Sequence, residues 1–88
     1  MSATFKIVYH TDPGHGWLEV NRNLLKEFGV EGKITPFSYQ NGDTVYLEED
    51  CDASTLITAM AIKGHVIEYI NKHTNNISPI RDLDCYTV

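Results

Sequence analysis

The sequence predicts an α+β fold, a small sandwich in β-β-α-β-β-α-β order with two helices on one face of an antiparallel or mixed sheet. Three observations predict it. An Asn41-Gly42 pair sits between two β-prone runs, the strongest short-range hairpin signal. Two short stretches carry apolar residues at helical spacing, and a glycine follows each. Alternating β-rich runs flank them, so that without the first strand the order is βαββαβ, a split βαβ.

The chain opens with a strand, Thr4 to His10, with Phe5, Ile7 and Tyr9 on one side. Thr11 to Gly16 is a turn opened by Asp12-Pro13. Trp17 to Val20 returns antiparallel to the first strand. Asn21 to Phe28 reads as a short helix: Asn21 is the N-cap, Leu24, Leu25 and Phe28 share a face, and Gly29 is the stop. Two turns of helix are unstable alone, so this one must be docked.

In the hairpin, a type I′ turn centred on Asn41 and Gly42 sets Gln40 opposite Asp43, Tyr39 opposite Thr44 and Phe37 opposite Tyr46. One face then carries Phe37, Tyr39, Thr44 and Tyr46, and the other Ile34, Pro36, Ser38, Val45 and Leu47. One face is expected on the core and the other against a partner. Glu48, Glu49, Asp50 and Asp52 form an acidic corner, where Asp52 or Asp50 caps the next helix. That helix runs from Ala53 to Lys63 with Leu56, Ile57, Met60 and Ala61 as its stripe, and Gly64 ends it. His65 to Ile70 is a strand, and Asn71 to Pro79 is turn-rich. Beyond Ile80 the pattern is ambiguous, with an edge strand over Cys85 to Val88 as one option.

Eighty-eight residues make one domain, residues 1–88. A chain of this size buries roughly 60–65% of its unfolded surface. Seven basic residues against twelve acidic ones give a net charge of −5. A positive field suited to nucleic acid or an anionic membrane is therefore not expected. The charge suits a protein partner with a basic rim. Cys51 and Cys85 make no disulfide framework, although a single bridge between them stays open. No leader or membrane-spanning run is legible, so the expectation is a cytoplasmic protein with reduced thiols, monomer or homodimer.

Two groups of residues bear on chemistry. His10, Asp12 and His15 place two imidazoles and a carboxylate in one short loop, a set that suits a metal, a ligand or a general base. The plainer alternative, which the spacing favours, is a turn in which Asp12 bonds its own backbone. Phe37, Tyr39 and Tyr46 beside Glu48, Glu49 and Asp50 pair aromatic anchors with charge, as a protein-binding surface requires. The carboxylates around Cys51 oppose a reactive thiolate. The sequence holds no phosphate loop, dinucleotide fingerprint or nucleophile elbow, so no cofactor is expected and an enzyme is the less favoured class.

Val20 to Ile34, a short helix followed by Phe28-Gly29-Val30 and then Gly32, resembles the strand–helix–turn–strand element of AbrB-type swapped-hairpin regulators. That resemblance implies a DNA-binding transcription regulator; Asn21 stands where that family usually carries a proline. The stretches Asp12 to Trp17 and Ser38 to Asp52 resemble small uncharacterised proteins of bacteria, plasmids and phages. This implies an intracellular accessory role, in host takeover or in countering a defence system. The favoured function is a small acidic protein-binding module, an inhibitor or regulator encoded by a mobile element. The alternatives are the AbrB-like regulator and a metal- or ligand-binding protein or enzyme using His10, Asp12 and His15.

Overall fold

The computed structural model describes residues 3–88. It contains β1 (Thr4–Thr11), β2 (Gly16–Asn21), α1 (Arg22–Glu27), β3 (Tyr39–Asn41), β4 (Thr44–Glu48), α2 (Asp52–Ile62), β5 (Val66–His73) and β6 (Asp84–Cys85). Short 3-10 turns cover Glu31–Lys33 and Pro79–Asp82. The strands form one mixed sheet in the order β5-β1-β2-β4-β3-β6. All neighbours are antiparallel except β1 and β5.

The α+β class with both helices on one face is what the sequence predicts. Leu18 and Val20 of β2 and Val45 and Leu47 of β4 point to the helix side. There they meet Leu25 and Phe28 from the first helical stretch and Leu56 and Met60 of α2. α1 begins as expected, with the Asn21 side chain accepting from the Asn23 amide at 2.8 Å. Gly29 and Gly64 follow the helices in the left-handed region, at φ +69° and +80°. The split βαβ order also holds, with two additions. Leaving out β1 and β6, the strands lie β5-β2-β4-β3, and each helix crosses an intervening strand. β1 is inserted between β2 and β5, which creates the single parallel pair.

The hairpin register differs from the expectation. Tyr39 lies opposite Tyr46, Gln40 opposite Val45 and Asn41 opposite Thr44. The two-residue turn is therefore Gly42-Asp43. Among the described residues no non-glycine has positive φ, whereas Gly42 has φ +62°. A positive φ at the first central position alone is the type II′ pattern, not type I′. It needs only one left-handed residue, and glycine supplies it. The slip is two residues, so each side chain keeps its face. Phe37 leaves the strand altogether and sits in a turn closed by the Ser38 amide donating to the Thr35 carbonyl at 3.2 Å.

β5 extends to His73, three residues beyond its expected end. β5 and β6 occupy opposite edges, so the chain between them must cross the whole sheet. This strap crosses the face without helices, packing Ile80 inward. β6 covers Asp84–Cys85, and the Tyr86 amide continues its ladder to the Ser38 carbonyl at 2.8 Å. Tyr86 is then buried, its hydroxyl donating to the Glu31 carbonyl at 2.6 Å.

Candidate functional site

The helix-free face carries the side chains that alternate with the core set, among them His10, Trp17, Tyr39 and Tyr46. Asp12 fixes one end of it. Its Oδ1 accepts from the amides of Gly14 and His15, both at 2.9 Å, as the plainer reading of this loop expects. Its Oδ2 accepts from the Ser78 amide at 3.0 Å. Arg81 adds Nε to Oδ2 at 2.7 Å and a terminal nitrogen to Oδ1 at 2.9 Å. The Arg81 guanidinium holds the Asp12 carboxyl far below the usual carboxylate range. Burial opposes that, and the Ser78, His15 and Gly14 amides reinforce it.

The structure does not gather His10, Asp12 and His15 into one site. Both Asp12 oxygens are committed to donors within the chain. His10 Nε2 lies 2.7 Å from Glu19 Oε1, and its ring packs edge-on against Tyr46. His15 is exposed, with Nδ1 3.8 Å from Glu49 and its ring beside Trp17. Among the described residues no group of three or more His, Cys, Asp or Glu side chains is placed to hold a metal ion.

The acidic corner divides into carboxylates that hold the fold and carboxylates exposed to solvent. Neither Asp50 nor Asp52 caps α2; Cys51 occupies the cap position and its side chain makes no capping bond. Glu48 does that work from the end of β4. Its carboxylate accepts from the amides of Asp50, Cys51 and Asp52 at 2.8, 2.6 and 2.8 Å. These are the orphan donors of a helix start, which any well-placed acceptor can satisfy. Burial pushes the Glu48 carboxyl up, but the three amide bonds outweigh it and leave it below its ordinary value. Asp52 is buried and accepts from Ser38 Oγ at 2.6 Å and from the Thr35 amide and hydroxyl at 3.0 and 2.7 Å. Ser38 in turn accepts from the Glu48 amide at 3.0 Å. Glu49 and Asp50 remain exposed, and Glu49 accepts from the Tyr9 hydroxyl at 2.9 Å.

Between this corner and the strap lies a cleft of about 380 Å³. Trp17, only 2% exposed, and Tyr39 line it with ring centroids 6.3 Å apart. Arg81 lies over the Trp17 ring at 5.4 Å. Glu48, Asp50 and Cys51 border the cleft, His15 reaches it from the first loop, and Phe37 stands there 77% exposed. Phe37, Tyr39, Glu48 and Asp50 are thus brought together. Tyr46 and Glu49 are not: Tyr46 lines a separate cleft of about 320 Å³ with His10 and Ile80, and Glu49 lines another with Tyr9 and Tyr69. Cys51 and Cys85 are both free and exposed.

Arg81 is the residue that sequence reasoning missed. In Ile77-Ser78-Pro79-Ile80-Arg81-Asp82 it has no spacing that distinguishes it from a solvated surface cation. The Val20 to Ile34 stretch that resembles the AbrB-type element folds as the end of β2, α1 and the following turn. Its Leu25, Phe28, Val30 and Ile34 are all core. Two of the basic residues, Arg22 and Arg81, donate within the chain, Arg22 to Gln40 and to the Thr87 carbonyl. No family model matches the chain, and no curated protein or solved structure matches it. Among the described residues no helix is long and apolar enough to cross a membrane.

Proposed function

We propose that this chain is a small protein-binding module that seats an apolar side chain of its partner in the cleft beside Phe37. The observation that carries this reading is Phe37 itself, a large apolar side chain left in solvent next to a pocket lined by Trp17 and Tyr39. Such a ring has no folding role, whereas aromatic anchors around a preformed pocket dominate binding energy at interfaces. Asp50 is exposed on the rim of this cleft and Glu49 is exposed next to it in the chain, so a partner with a basic rim fits best. The same proposal takes the module as an inhibitor or regulator from a mobile element, acting on an intracellular target. That part rests on the sequence layout and the net charge of −5.

The test is quantitative affinity capture with the wild type and Phe37→Ser as parallel baits. Phe37→Ser leaves the core untouched, so partners of the cleft should drop out of its capture. Against a captured partner, Tyr39→Ala is expected to raise the off-rate about tenfold or more. Glu49→Gln with Asp50→Asn is expected to lower the on-rate and flatten its salt dependence. Identical capture by both baits would remove the cleft from consideration.

A further inference from the structure

The sheet has two edges of unlike character. β6 ends one with two paired residues, whereas β5 presents eight at the other, six of them exposed in an unbroken run from Glu68 to His73. Val66, Tyr69 and Ile70 are 58%, 44% and 43% exposed. A long exposed edge with apolar side chains along it is a template for another strand.

The backbone defines which groups the edge offers. The amides of Val66 and Thr74 donate inward to the Ala3 and Thr11 carbonyls of the β1 side. Backbone groups alternate along a strand, so Val66, Glu68, Ile70 and Lys72 bond β1. Ile67, Tyr69, Asn71 and His73 turn their N–H and C=O groups to the open edge.

We propose that β5 pairs antiparallel with β5 of a second copy of this chain about a two-fold axis at Ile70, joining the two sheets into one. The charge pattern selects this occupant and this register. With Ile70 on the axis, Tyr69 meets Asn71 and Ile67 meets His73, and these are the residues with free backbone groups. Ile70 then meets Ile70, and Glu68 meets Lys72 on both sides of the axis. Both are non-hydrogen-bonded positions, where opposed side chains come closest. Centring on Tyr69 instead would set Glu68 against Ile70 and Val66 against Lys72. Centring on Asn71 would set Ile70 against Lys72. Only the Ile70 register matches apolar to apolar and acid to base, as an isologous contact requires. The proposal is independent of the Phe37 cleft, which lies elsewhere on the chain.

The test is sedimentation equilibrium of the full chain. The wild type should show a concentration-dependent monomer–dimer equilibrium. Glu68→Lys and Lys72→Glu should each raise the dimer dissociation constant about tenfold or more, because two facing attractions become two repulsions. The double variant, with the charges exchanged, should restore the dimer. These side chains are exposed, so unfolding midpoints measured at concentrations where the wild type is monomeric should match and exclude misfolding as the cause. A wild type that stays monomeric overturns the proposal, whether the edge is then bare or taken by an extended segment of another protein. A dimer that ignores both single reversals overturns the register.

Discussion

The Asp12 carboxylate and the Arg81 guanidinium meet at two points, 2.7 and 2.9 Å apart, across 69 residues of sequence. Asp12 stands between β1 and β2, and Arg81 stands on the strap between β5 and β6. One ion pair therefore pins the strap to the sheet and lays a cation over Trp17. The fold and the cleft share this fastening, since Arg81 is also a wall of the cleft.

The pair predicts a particular acid response. Arg81 lowers the Asp12 carboxyl in the folded chain, while an unfolded aspartate titrates near pH ~3.9. The stabilisation is complete above that value and drains away as pH falls towards the folded one. We expect the urea midpoint of the native chain to fall steeply below about pH 4. Asp12→Asn should be less stable at neutral pH and show a flatter acid limb. Parallel acid limbs in the two proteins would show that Asp12 is not the source.

Glu48, and not its acidic neighbours, should hold the start of α2. Glu48→Ala is expected to cost about 1–2 kcal/mol, the ordinary range for a lost cap. Asp50→Ala should stay within about 0.5 kcal/mol, as for other exposed substitutions. Urea denaturation separates them, and hydrogen exchange should show the first-turn amides losing protection in Glu48→Ala. Equal losses at Glu48 and Asp50 would contradict the assignment.

The hairpin turn makes a different distinction. Gly42→Val should cost about 1–2 kcal/mol, because a β-branched residue resists positive φ. A Cβ there would meet nothing within 4 Å, so the loss would come from the backbone alone. Asn41→Ser should be nearly neutral, because Asn41 belongs to β3. Loss of stability in Asn41→Ser to match Gly42→Val would favour a turn with both residues left-handed.

By itself the sequence determined the elements and their faces. Leu25 and Phe28, and Ile57 and Met60, are three apart, a spacing that a helix but not a strand brings onto one side, and Gly29 and Gly64 mark the helix ends. Alternation along Thr44–Glu48 put Val45 and Leu47 inward whatever the register. Periodicity reports a side chain's face and is silent on its neighbour. The tertiary structure alone decided that Gly42 leads the turn, that Glu48 supplies the cap and that β1 separates β2 from β5. It also decided that Ser38 and Thr35 close on Asp52, and that Arg81 finds Asp12. In each case buried or orphaned polar groups must find acceptors and donors. The partner that meets this demand is the one the packed chain brings within about 3 Å, often from a distant part of the sequence.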